Sequence, residues 1–134
     1  MPFAVACSGQ VDTVETPKLF TKWSLVHITT GTILYSNLLY FHNISFSQRF
    51  IIMQLLHLAY ECHSIYISYF KNGVGYWDKR HGDSVWNSIG DQLSCTIGYM
   101  VMFFVIPHRT FSIRYAILTY VLLGIAYLFA YGGD

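Results

Sequence analysis

Four windows of about twenty residues, each dominated by apolar side chains, constrain this chain more than any other feature. They are 23–42 (WSLVHITTGTILYSNLLYFH), 50–70 (FIIMQLLHLAYECHSIYISYF), 85–106 (VWNSIGDQLSCTIGYMVMFFVI) and 111–131 (FSIRYAILTYVLLGIAYLFAY). About 20 residues of α-helix cross a bilayer, and within hydrocarbon every backbone polar group must be satisfied inside its own segment. Strands with open edges fail that condition; helices meet it. The expected fold is therefore all-α, a bundle of four transmembrane helices, with residues 1–16 as an exposed or surface arm and 17–134 as a single domain.

Composition agrees. The 134 residues are 54% hydrophobic and only 11% charged, far below the roughly 25% charge of soluble domains. The net charge of +1 has no clustered basic footprint, so nucleic acid is not an expected partner. The first fifteen residues lack the basic start and long apolar core of a secretory signal. Three cysteines, Cys7, Cys62 and Cys95, make no framework and read as small buried hydrophobes.

The links set the topology. Thr16-Pro17 opens the first helical approach, 71–84 gives room to turn, and Pro107 ends the third window just before a tight link. Short links imply antiparallel neighbours and an up-and-down order. The amino-terminal flank and the 71–84 loop carry Lys18, Lys22, Lys71, Lys79 and Arg80, against Arg49, Arg109 and Arg114 on the other side. That excess places both termini in the cytoplasm or its topological equivalent. Trp23, Trp77 and Trp86 fall at the same interface. The sequon Asn43-Ile44-Ser45 lies on the opposite loop, too near the membrane to be used.

Polar residues inside membrane helices are costly, so their positions carry information. In the second window Gln54, His57, Glu61, Ser64 and Ser68 share one helical face, and His63 lies opposite. In the third, Ser84, Asn87, Asp91, Ser94 and Gly98 form a matching stripe, and the first adds Ser24, His27 and Gly31. Counting inward at about 1.5 Å per residue puts His27, Asn87 and Asp91 near the cytoplasmic end, with Glu61 and His57 deeper. The stripes predict an inward-facing polar pocket. Glu61 pairs there with His57 or His27; Ser64, Ser94, Gly31 and Gly98 are packing residues. The sequence TIGYM at 96–100 is not an ion filter, because Met100 replaces the second glycine and an apolar helix follows.

KWSLVHITTG, LLHLAYECHSIY and DSVWNSIGDQLSCTIGY together resemble the VanZ-like group of small integral membrane proteins over residues 22–100. Asp83, Asn87 and Gly90 match its D-x-x-x-N-x-x-G motif, Glu61 its acidic position, and Lys22 with His27 its helix entry. The resemblance implies a small helical membrane fold whose matching acid and Asn line a shared pocket; it supplies no activity.

Two functions of different kind follow as expectations. The first is a pocket that binds or modifies an amphiphilic, lipid-like ligand at the cytoplasmic leaflet. Glu61, His57 and Asp91 are then the catalytic candidates, and His27, Asn87 and Asp83 meet the ligand. The second is a structural or scaffold subunit of a larger membrane complex or of a membrane-containing virus particle, with stripes that only join helices. Membrane lipids are the expected partners, with a homo-oligomer or larger assembly possible. No cofactor or metal is expected. A metal-dependent hydrolase with His57, Glu61 and Asp91 as ligands, and an ion or proton conductor built on Glu61 and Asp91, are the further alternatives.

Overall fold

A computed structural model of the chain describes residues 5–7, 10–12, 19–70, 85–106 and 110–132, with side-chain surroundings over 19–64, 85–106 and 110–132. Asp83 and Ser84, the 71–84 loop with Trp77 and its basic residues, Thr16-Pro17 with Lys18, and the 107–109 link lie outside the described residues. The amino-terminal arm contributes a short antiparallel pair, β1 (Val5–Cys7) with β2 (Gln10–Asp12). The rest is helical: α1 (Trp23–Leu38), α2 (Phe46–Phe70), α3 (Val85–Val105) and α4 (Ile113–Tyr131).

Local chemistry sets the helix starts. Thr21 ties the head of α1 to Trp23 and Ser24, and its carbonyl accepts from the Ser24 N–H at 3.0 Å. The Trp23 N–H donates to Thr21 Oγ1 at 3.2 Å, and the Thr21 N–H to Ser24 Oγ at 2.9 Å. Ser45 and Gln48 form a capping box at α2, with the Ser45 N–H donating to Gln48 Oε1 at 2.8 Å and the Gln48 N–H to Ser45 Oγ at 3.2 Å. That cap starts α2 at Phe46, four residues earlier than the apolar window does. A turn over 39–45 ends α1 at Leu38, four residues before its window closes.

Five hydroxyls in the helix contacts bond back within their own helices. Thr29 and Thr30 donate to the Val26 carbonyl, Thr32 to that of Thr29, Ser94 to Gly90, and Thr119 to Ala116. A small polar residue thus costs little in an apolar surrounding and lets a neighbouring helix come close. The glycines show how close. A Cβ at Gly31 would run into the Cys95 carbonyl, one at Gly98 into that of Ile28, and one at Gly90 into that of Leu19. Leu19 meets Gly90, His27 meets Asp91 and Tyr35 meets Tyr99, so α1 and α3 run the same way, as an up-and-down order requires.

Helix α1 is the hub; α2, α3 and α4 all pack on it. At one end an aromatic core gathers Tyr35, Tyr99, Met53 and Cys95, joined by Phe46, Phe50 and Phe103, with Tyr35 and Tyr99 edge to face at 5.0 Å. Toward the other end Trp23 sits between α1 and α4, its ring 4.8 Å from that of Tyr131. Among the described residues two helices, α3 and α4, are long and apolar enough to cross a membrane. Of the cysteines, Cys95 is buried but Cys62 is exposed, against the expectation that each is a small core residue.

Candidate functional site

The stripes meet near the start of α1. One turn into α1, His27 faces α2 on one side and α3 on the other. Its Nδ1 is 2.9 Å from His57 Nε2 and 3.6 Å from Glu61 Oε1, and its Nε2 is 3.3 Å from Asp91 Oδ2. His57 and Glu61 follow one another by one turn of α2, with Nε2 to Oε1 at 3.7 Å. The two imidazoles stand edge to face, and the ring of Tyr60 lies beside both. Exposure of His57 and Glu61 is 3% and that of Asp91 is 2%. Four ionisable groups from three helices thus share one buried spot.

The close α1–α3 approach makes this possible. The same glycine contacts that bring the backbones together set His27 against Asp91, and the i, i+4 spacing on α2 supplies His57 and Glu61 to the other side of the ring. Asn87 is buried one turn before Asp91 on the same face of α3. Of the six predicted site residues, His27, His57 and Glu61 lie within mutual reach, Asp91 joins them through His27, and Asn87 lies one turn before Asp91 on α3. Asp83 lies outside the described residues.

Depth was the part of the expectation that needs correcting. Counting inward from position 70 set His57 and Glu61 well below His27 and Asp91, yet the distances hold all four at one level. The reason is that α2 is 25 residues long and its middle, not its end, meets the site.

The sequence reading missed Gln92. Its side-chain oxygen lies 2.7 Å from His57 Nδ1, while its Nε2 donates to the Gln54 backbone carbonyl at 3.2 Å and closely to Gln54 Oε1. Gln54 Nε2 in turn donates to Thr96 Oγ1 at 2.8 Å, and the Thr96 hydroxyl donates to the Gln92 carbonyl at 2.9 Å. The available signal was a second amide beside Asp91 in an apolar window, facing the amide Gln54 on the neighbouring helix.

A groove of about 270 Å³ runs between α2 and α3 beside the cluster. Leu58, Val85, Ile89 and Leu93 supply apolar walls, and Glu61 and Gln92 form the part shared with the cluster. The surface of this groove is apolar. No protein-family model, curated protein or solved structure matches this chain.

Proposed function

We propose that this is a multi-pass integral membrane protein of four spans that takes an amphiphilic, lipid-like molecule into the α2–α3 groove and brings its polar end to Glu61 and its neighbours. The observation that carries the reading is an apolar groove sharing Glu61 with a buried cluster of two histidines and two acids. Apolar length and a polar terminus are what the two surfaces match. Glu61 and His57 are the proton-handling pair, His27 and Asp91 hold that pair in place, and Asn87 meets the headgroup.

Burial supports the membrane setting. His27, His57, Glu61, Asn87 and Asp91 are inside, whereas Leu55, Leu56, Phe104, Ile117, Leu128 and Phe129 are exposed, Phe104 by 76% and Leu128 by 74%. In water so much outward apolar surface would drive association; facing lipid it is at rest. The basic excess at the amino-terminal flank and the 71–84 loop puts the site in the cytoplasmic half. The VanZ-like resemblance agrees, since Glu61, Asn87 and Gly90 belong to the segments around the site.

Native mass spectrometry of the chain extracted in mild detergent tests this. The wild-type chain is expected to carry a lipid-like molecule, and Leu93→Trp, which fills the groove, to lose it. Glu61→Gln keeps the groove and is expected to release the headgroup contact while retaining helical content. An isolated chain that carries no amphiphile, and is recovered only in fixed stoichiometry with other proteins, overturns the reading in favour of a scaffold subunit.

A further inference from the structure

The hydrogen-bond polarity around His57 can be followed outward to an unambiguous donor. The Thr96 hydroxyl donates to a backbone carbonyl, so it accepts from the Gln54 amide nitrogen. Gln54 Oε1 then faces Gln92, and Gln92 must offer its NH₂, which also serves the Gln54 backbone carbonyl. Gln92 Oε1 is left toward His57 and can only accept, so Nδ1 of His57 carries the hydrogen. On the other ring, Nε2 of His27 lies against the Asp91 carboxylate and carries its hydrogen there. Both imidazoles are therefore protonated on their outer nitrogens. Their inner nitrogens, His27 Nδ1 and His57 Nε2, direct lone pairs at one another across 2.9 Å, with Glu61 Oε1 3.6 and 3.7 Å away. Two imidazole lone pairs and a carboxyl oxygen converge there.

We infer that His27 Nδ1, His57 Nε2 and Glu61 Oε1 form a binding site for a divalent transition metal of the zinc type, oriented by Asp91 and Gln92. A point equidistant from atoms separated by 2.9, 3.6 and 3.7 Å lies about 2.0 Å from each, within the roughly 2.0–2.2 Å of zinc–imidazole and zinc–carboxylate bonds. Two imidazoles and one carboxylate are a donor set suited to zinc and its first-row neighbours rather than to calcium or magnesium. Each imidazole of a metal site characteristically gives its other N–H to a carboxylate or carbonyl oxygen; Asp91 and Gln92 stand in those two places. Asp91 is thus an orienting group, and His27 takes the ligand position that sequence spacing gave to Asp91. Glu61 also borders the groove, so the cluster and the groove share one residue. The site rests on the same cluster as the proposed function but needs no amphiphile; if metal is bound, Glu61 acts as its ligand rather than as a proton carrier.

The test is metal content and cobalt spectroscopy on the full-length chain in detergent, purified with an affinity tag that contains no histidine. Wild-type protein is expected to retain about one zinc per chain after dialysis, and after replacement by Co²⁺ to show the intense visible bands of a low-coordinate site. His57→Ala and Glu61→Gln are expected to lose the bound metal. Asp91→Asn keeps the side chain's size and is expected to retain helical content while weakening Zn²⁺ affinity by about 10–100-fold, which a merely structural role would not do. Wild-type chain that binds neither Zn²⁺ nor Co²⁺, or variants at His27 and His57 that bind as well as wild type, overturns the inference and leaves a proton shared between the two rings. Loss of lipid in Leu93→Trp with metal content unchanged separates the two proposals: metal failure leaves the groove reading standing, and lipid failure leaves the metal site standing.

Discussion

Gly98 of α3 and Ile28 of α1 meet backbone to backbone, so closely that a Cβ on Gly98 would run into the Ile28 carbonyl oxygen. Ile28 follows His27 directly. Glycine packing and site geometry are therefore one arrangement, in which the helices must touch for His27 to reach Asp91 at 3.3 Å.

Gly98→Ala is accordingly expected to cost about 1–3 kcal/mol, the usual range for overpacking a tight interface. Gly124 has nothing within 4 Å of the same added atom, so Gly124→Ala is expected to be neutral or to stabilise by up to about 1 kcal/mol through helix propensity. Thermal or denaturant unfolding of the two variants in one detergent makes the comparison. Equal effects would show that the α1–α3 contact is looser than described.

The Gln54–Gln92–His57 chain gives a second prediction. Gln92→Leu removes the acceptor of His57 Nδ1 and the donor to Gln54, and stranding buried polar groups costs about 1–3 kcal/mol. Gln54→Leu strands fewer. In the double variant part of the loss is expected to return, because removing both partners is less costly than removing one. A double-mutant cycle should read a coupling of about 0.5–3 kcal/mol. Simple additivity would mean that the two amides act independently.

Cys62 and Cys95 differ in a way that reports on the groove. Cys62 is exposed and lines it, whereas Cys95 is fully buried against Met53. In a Cys7→Ser background, a membrane-permeant maleimide should label Cys62 in the native protein and Cys95 only after unfolding. An amphiphile seated in the groove is expected to slow labelling of Cys62. A rate that is the same with and without lipid would place the bound molecule elsewhere.

How much of this could be read from residue order depends on which force placed each residue. Helix existence followed from apolar length, and the outlines of α3 and α4 fall within two residues of their windows, because Pro107 follows closely on Val105 and an apolar run follows Ser112. The start of α2 did not follow, because Ser45 and Gln48 form a cap that hydrophobicity does not register. The His27, His57, Glu61 and Asp91 grouping was visible in helical periodicity, since a 3.6-residue repeat fixes which side chains share a face. Their common level was not visible: the vertical offset between helices is set by contacts such as Gly31 on Cys95, which no single window contains. Gln92 escaped for a related reason, because it sits beside the Asp91 stripe and only its partners on α2 reveal its role.

The turn between α1 and α2 offers the last test, one of orientation. Arg49 Nη2 donates to the Phe41 carbonyl at 3.1 Å, so this cation clamps the turn. The Ser45 hydroxyl already accepts from the Gln48 N–H, which holds the sequon serine as the cap of α2. The proposed orientation, drawn from the Lys and Arg at the amino-terminal flank and the 71–84 loop, predicts residues 39–45 on the non-cytoplasmic face. Asn43→Cys is therefore expected to react with a membrane-impermeant maleimide added to that face of sealed vesicles, and not from the cytoplasmic face. Asn43 itself is expected to carry no glycan in a glycosylating host, read as unchanged gel mobility after glycosidase treatment. Labelling from the cytoplasmic face would reverse the orientation and move the His27–Asp91 site to the opposite leaflet.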